Sequence, residues 1–339
     1  MTLLWLESLL RSACSPSVSE NCCERFHTFF DVTMRDSIII RTLVEVVRIY
    51  ILRSANTYLL QKGIGAFFRT DNEFLERFLK ARKYRVEEAF QVLCKYFTFR
   101  HQSRDLCIGL NASSPKVQAA LIDGTVGVLP ENDPCGRPIL LLLASNWNNS
   151  KYDVRTIYQA VLITLEHLVE NPEVQQTGII AIIDWSHFPA RHATFLTPKT
   201  LRVFLEGLQD AFPMRLGALH MVSPPWYIEA ALSLSKPFLK EKLRDRIFVH
   251  GNNLHTLHSN VPPRILPAEL GGEGGEYNAQ IWATKLIPKS KLQPSLRSEM
   301  KTSISHSGFS GSLDSAGPSK RDHNKVDHSP VTRSLLEIS

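Results

Sequence analysis

Four short apolar runs constrain this chain more than any other feature: Ile139–Ala144 (ILLLLA), Ile179–Asp184 (IIAIID), Leu216–Val222 (LGALHMV) and Ile247–His250 (IFVH). None alternates apolar with polar residues. A strand with one wet face alternates with a period of two, whereas a strand covered on both faces reads as an unbroken apolar run. Amphipathic helices lie between the runs. Asp153 can cap one whose inner face is Ile157, Val161, Leu162, Leu165 and Leu168, and which stops at Asn171-Pro172. Thr197 can cap the next, with Pro198 in its first turn and Leu201, Phe204, Leu205 and Leu208 facing inward. Strand and helix in alternation predict an α/β fold with a mostly parallel sheet.

Helices precede this region. Thr70 and Glu73 have capping-box spacing, and Phe74, Leu75 and Phe78 then share a face. Val86, Ala89, Phe90, Leu93, Tyr96 and Phe97 mark a second helix. The short link Lys83-Tyr84-Arg85 predicts an antiparallel pair. Residues 1–62 show no clear period. The opening MTLLWLESLL carries Glu7 and lacks a positive flank, so it does not read as a secretory signal. The apolar stretch Ser37 to Leu60 is interrupted by Arg41, Glu45, Arg48 and Arg53, which disfavours a membrane span. From Pro288 the chain is rich in Ser, Lys, Asp, Gly and Pro and reads as a disordered tail.

The sequence offers no recognisable catalytic residue and no metal set. There is no GxSxG elbow, no Walker motif, no HExxH and no EF-hand loop. Asp184, Ser186 and His187 lie at a strand end, but residues so close on one turn seldom face one another. The cluster Gly271, Gly272, Gly274 and Gly275 contains Glu273, which would repel phosphate, and reads as a strap. His250-Gly251-Asn252-Asn253 reads as a turn after a strand. The cysteines (Cys14, Cys22, Cys23, Cys94, Cys107 and Cys135) have neither CxxC nor zinc spacing, as expected of reduced thiols in a cytosolic protein.

The formal charge of +6 suits an anionic partner. In Lys236–Arg246 (KPFLKEKLRDR) five cations face two acids; Lys242 and Arg246 are four apart, and Phe238, Leu239 and Leu243 form an inner stripe. Arg215 precedes the neighbouring strand. Charge pattern alone allows a solvated helix or an anion-binding face. Nucleic acid is disfavoured, because no aromatic platform is interleaved with the cations.

Several stretches together resemble one family. Asp71–Tyr84 (DNEFLERFLKARKY), Ile183–Trp185 (IDW), Leu208–Pro213 (LQDAFP), Lys236–Lys242 (KPFLKEK), Ile247–Asn253 (IFVHGNN) and Ile265–Gly272 (ILPAELGG) follow the order found in the CRAL-TRIO lipid-binding family. The resemblance covers roughly residues 64–285 and points to a clavesin-like subgroup, related to the alpha-tocopherol transfer protein and cellular retinaldehyde-binding protein. It implies an N-terminal helical bundle (63–110) and a lipid-binding domain (115–285) with a mostly parallel sheet and a helical gate within about Pro224 to Leu239, then a tail (286–339). It also implies no enzyme activity, no cofactor beyond a bound hydrophobic lipid, a monomer, no nucleic-acid partner, and docking on phosphoinositide-containing membranes. The location implied is cytoplasmic, peripheral on endosomal or trans-Golgi membranes. The alternative is a phosphoinositide-recognising adaptor without cargo. The phosphoinositide contacts of the family's tocopherol carrier fall on Arg215, Lys236, Lys242 and Arg246. Another basic family position falls on Gly217, where charge is absent. Phe212 matches a lipid-pocket residue, and Arg82 a family arginine near the basic surface or the domain contact. Met34–Thr42 resembles part of the family's first helix, while Leu43–Lys62 has no counterpart and reads as an insertion.

Overall fold

The structure, a computed structural model, describes residues 71–288. The expectations for residues 1–62, for Thr70 as a cap and for the tail after Pro288 lie outside the described residues.

The described chain opens with α1 (Asn72–Ala81). Its N-cap is Asp71: the Asp71 carboxylate accepts the Phe74 N–H at 3.0 Å, so one of the first orphan donors is satisfied. The helix ends in a turn where Lys83 and Tyr84 take φ of +52° and +59°, and α2 (Val86–Gln102) returns. Phe74 and Phe78 meet Tyr96 of α2 edge to face, with centroids 5.7 and 5.5 Å apart. Burying a ring as completely as Phe78 contributes about 2–3 kcal/mol. Two further helices follow, α3 (Arg104–Cys107) and α4 (Pro115–Ile122).

The sheet has five strands in the order β1-β2-β3-β4-β5. They are β1 (Val126–Val128), β2 (Ile139–Leu143), β3 (Ile179–Asp184), β4 (Leu216–Val222) and β5 (Ile247–His250). β1 pairs antiparallel with β2, and all other pairs are parallel. The connections carry α5 (Val154–Leu168), α6 (Pro172–Thr177), α7 (Pro198–Asp210), α8 (Trp226–Ser235) and α9 (Glu241–Arg244), and α10 (His255–His258) and α11 (Ala279–Leu286) follow the sheet. Asp153 and Thr197 cap α5 and α7 as expected, each accepting a backbone N–H three residues on.

Both sheet faces are covered, which is why β2, β3 and β4 are unbroken apolar runs. One face, with Leu140, Ala181, Leu219 and Met221, joins a core with α4, α5 and α11. The other, with Ile139, Leu141, Ile180, Ile182 and Val222, packs on Leu257, Val261, Ile265, Leu266 and Leu270. The glycine cluster closes this second layer. Gly271 takes φ of +62°, and a Cβ on Gly272 would lie 2.0 Å from the Leu266 carbonyl oxygen. β5 departs from the expectation of two covered faces: it is an edge strand, with Phe248 38% and Val249 47% exposed. The helix expected over Lys236–Arg246 is also broken. A 3-10 turn (Lys236–Phe238) is followed by extended backbone at Leu239 and Lys240, then by the short α9. Leu239 and Leu243 are nonetheless buried.

Candidate functional site

A glycine at each side lets Arg215 reach its position. The register between β3 and β4 shifts from Ile179↔Leu216 to Ile180↔Ala218, leaving Gly217 as the extra residue of a bulge. On the other side Gly178 ends α6 with φ of +84°, and a Cβ there would lie 2.2 Å from the Arg215 carbonyl oxygen. The Arg215 guanidinium is then held by three backbone carbonyls: Nε donates to Ala81 (3.0 Å), Nη2 to Lys80 (2.9 Å) and Nη1 to Gln176 (2.9 Å). Lys80, Ala81 and Gln176 belong to the last turns of α1 and α6, where carbonyls lack helical partners and the dipole favours a cation. Arg215 therefore fastens the helical unit to the sheet.

Arg215 is also one of a group of cations. Burial and then the neighbouring Arg82, Arg85 and Arg246 push it below the ordinary arginine value. Lys242 is likewise lowered, by burial first and then by Arg246, Arg82 and Arg85, with Glu88 opposing. Arg82, Arg85, Arg215, Lys242 and Arg246 thus form one basic surface from the α1–α2 turn, the entry to β4 and the entry to β5. Arg246 donates to the Leu216 carbonyl, and Arg85 pairs with Glu88. Arg85 was not expected here; in sequence it is only the end of a linker, and its one signal is the run Arg82-Lys83-Tyr84-Arg85. Beside Gly217, where a side-chain charge is missing, the Arg137 guanidinium fills the space: a Cβ would meet its Nη1 at 2.5 Å. Arg137 is ion-paired with Asp133 at 2.6 Å.

Lys236 stands apart from the charges acting on Arg215 and Lys242. It lines a cleft of about 330 Å³ with Glu229, Leu232, Leu239, Arg244 and Val249. Phe212 is 3% exposed and meets Tyr96 edge to face at 6.2 Å, at the seam between α2 and the sheet layer. That seam holds a buried ionic network. Glu166 of α5 accepts the Tyr96 hydroxyl at 2.8 Å, pairs with Arg100 and lies 4.0 Å from Arg77.

The segment expected to hold a gate contains α8. Its sequence, WYIEAALSLS, is apolar around most of the helix, yet Trp226 is 79% and Leu234 70% exposed. Ile228 alone of its large residues is buried, while Tyr227 and Leu232 are half-buried. The inner positions of α7 that face the core, Val203, Phe204 and Leu205, are half-buried too. At the end of β3, the Asp184 carboxylate accepts the Ser186 N–H at 2.9 Å and so serves the turn. Among the described residues no group of His, Cys, Asp and Glu could hold a metal ion, and no helix is long and apolar enough to cross a membrane.

An α/β layer with a five-stranded, mostly parallel sheet and a preceding helical unit defines the class, and comparison with known proteins gives the family. Residues 123–272 match the CRAL/TRIO domain. The chain is 48% identical over 221 residues to clavesin-1 of Rattus norvegicus, covering 65% of this chain and 62% of that protein. It is equally similar, at 48%, to clavesin-2 of Homo sapiens, over 65% of this chain and 68% of that protein. The solved structure titled "Crystal structure of Sfh5" aligns with a TM-score of 0.45 and 12% identity, over 78% of this chain and 98% of that one. This chain belongs to the CRAL-TRIO family and is clavesin-like.

Proposed function

We propose that this protein binds one hydrophobic lipid and transfers it between membranes without changing any bond. In this reading α8 is the gate. The observation that carries it is an apolar helix with Trp226 and Leu234 largely exposed, followed directly by the cationic segment that supplies Lys242 and Arg246 to the basic surface. Exposed apolar side chains on a helix that leads along the chain into a cationic segment fit an anionic membrane, where apolar contact and charge attraction add. The half-buried inner faces of α7 and α8 support a cargo lying between them and the sheet. The clavesin relatives and the family support the same reading. Arg82, Arg85, Arg215, Lys242 and Arg246 would contact phosphoinositide headgroups, with Lys236 and Arg244 at the adjoining cleft, and Phe212 would border the cargo. The family resemblance supports action as a monomer, peripherally on endosomal or trans-Golgi membranes.

The test is transfer of a fluorescent lipid between two vesicle populations, with and without phosphatidylinositol bisphosphate in the acceptor. Transfer that accelerates with the phosphoinositide and slows in high salt supports the proposal. Sedimentation with phosphoinositide vesicles without any transfer would instead identify a membrane adaptor.

A further inference from the structure

The turn after β3 builds an aromatic nest in which three buried ring nitrogens, one of Trp185 and two of His192, lack a partner among the described residues. Trp185 donates its backbone N–H to Val222 at the end of β4, and Phe188 donates its own to Trp185 at 3.0 Å. His187 completes the turn at φ of +57°, a conformation uncommon outside glycine and concentrated at functional sites. The turn sets Phe188 edge to face against Trp185, with centroids 5.1 Å apart. Trp147, which follows β2, stacks near Phe188 at 6.4 Å and lies 4.8 Å from the ring of His192. Trp147, Trp185 and Phe188 belong to the same core as Ile228 of α8. The nest therefore sits at the carboxyl ends of parallel strands, where α/β sheets place their ligands.

His192 is 2% and Trp185 9% exposed. Neither ring nitrogen of His192, nor the indole nitrogen of Trp185, has a hydrogen-bond partner among the described residues. Buried polar atoms are almost always paired, and an exception calls for a specific cause. An ordinary core would use Phe or Leu at these positions. Burial, and then Arg191, lower the His192 value, so at neutral pH its imidazole is uncharged and offers one donor and one acceptor. Trp185 adds a donor.

We propose that Trp185 and His192 recognise the polar end of the carried lipid, and that this end is a hydroxyl group. A hydroxyl both donates and accepts, which matches a neutral imidazole. A methyl ether accepts only, and a hydrocarbon does neither. The inference deepens the carrier reading and rests on it.

The test offers octadecanol and octadecyl methyl ether, in phosphatidylcholine vesicles, to the full chain, and measures uptake by mass spectrometry. The wild type should take up the alcohol at least about tenfold more readily than the ether, because the ether cannot donate and leaves the imidazole acceptor of His192 unpaired. His192→Phe should lose that preference yet still take up the ether, whereas Trp185→Phe removes a donor that either oxygen can accept and should weaken uptake of both probes while keeping the preference. His192→Phe should melt, when unloaded, no lower than wild type, since an orphaned polar group is replaced by an apolar one. If His192→Phe does not fold, the imidazole nitrogen resonances of wild-type His192 decide: movement on adding octadecanol and not the ether supports the inference, and no movement overturns it. Equal uptake of alcohol and ether by the wild type also overturns it. Uptake of neither probe refutes the carrier reading itself, and the inference falls with it.

Discussion

Replacing Arg215 and replacing Lys242 should have different consequences, although both are cations of one surface. Arg215 makes three charge-assisted hydrogen bonds to the ends of α1 and α6. At about 1 kcal/mol net for each bond, Arg215→Ala should lose about 3 kcal/mol of stability. For a domain of this size that lowers the melting temperature by about 6–12 °C. Lys242 is exposed, and Lys242→Ala should change stability by less than about 0.5 kcal/mol. Near an anionic membrane each cation contributes about 1 kcal/mol, so either substitution should weaken vesicle binding by about fivefold. Arg215→Lys separates the two roles. It keeps the charge but cannot reach three carbonyls at once, so it should restore vesicle affinity and leave most of the stability lost. The assays are urea denaturation and sedimentation with phosphoinositide vesicles. If Arg215→Ala unfolds at the wild-type urea concentration, the bonds to Lys80, Ala81 and Gln176 do not fasten the helical unit, and the argument for its structural role fails.

Other substitutions probe the frame around the site. Glu166→Ala removes the acceptor of Tyr96 and the partner of Arg100, leaving a buried cation uncompensated; urea titration should show a loss of about 3–5 kcal/mol. Gly178→Ala places a Cβ 2.2 Å from a backbone oxygen at φ of +84° and should cost about 2 kcal/mol or more, visible as a lower melting temperature. The buried His220 bonds His250 at 2.9 Å, and His250 bonds Thr256 at 2.8 Å. Burial first, then His250 and Arg137, lower His220 to about 4. Unfolded histidine takes a proton near pH 6.5 and the folded residue near 4, so the unfolded state binds more protons between them. Stability should be intact above pH 6.5 and fall by about 1.4 kcal/mol per pH unit down to pH 4. His220→Phe should flatten that slope in melting curves, and an unchanged slope would assign it to other groups.

The sheet was legible because strands buried on both faces need apolar residues at every position. That pattern identified β2, β3, β4 and the position of β5. β1 escaped because a three-residue pair to β2, Val126–Val128, carries no period. The exposure of β5 escaped too, since IFVH reads alike at an edge and in the centre. Lys236–Arg246 looked like one helix by spacing alone. The extended backbone at Leu239 and Lys240 breaks it, and Arg246 leaves α9 to enter β5. The basic surface was half legible. Arg215, Lys242, Arg246 and Arg82 come together, whereas Lys236 faces a cleft and Arg85 joins from a linker. Arg215's capping role was invisible because its three partners lie 39, 134 and 135 residues away in the chain. The unpaired atoms of Trp185 and His192 could not be read from sequence either, because satisfaction depends on every neighbour in three dimensions.

The central claim is that the protein encloses a lipid, and the mass of the intact chain purified from cells tests it most directly. Burying an acyl or isoprenoid chain removes several hundred Å² of apolar surface from water at about 25 cal/mol per Å², so the cargo should survive purification. Native mass spectrometry should show the chain plus one lipid, and the same sample after organic extraction should show the chain alone, with a lower melting temperature. A native mass equal to that of the bare chain, together with a melting temperature that extraction leaves unchanged, would contradict the account.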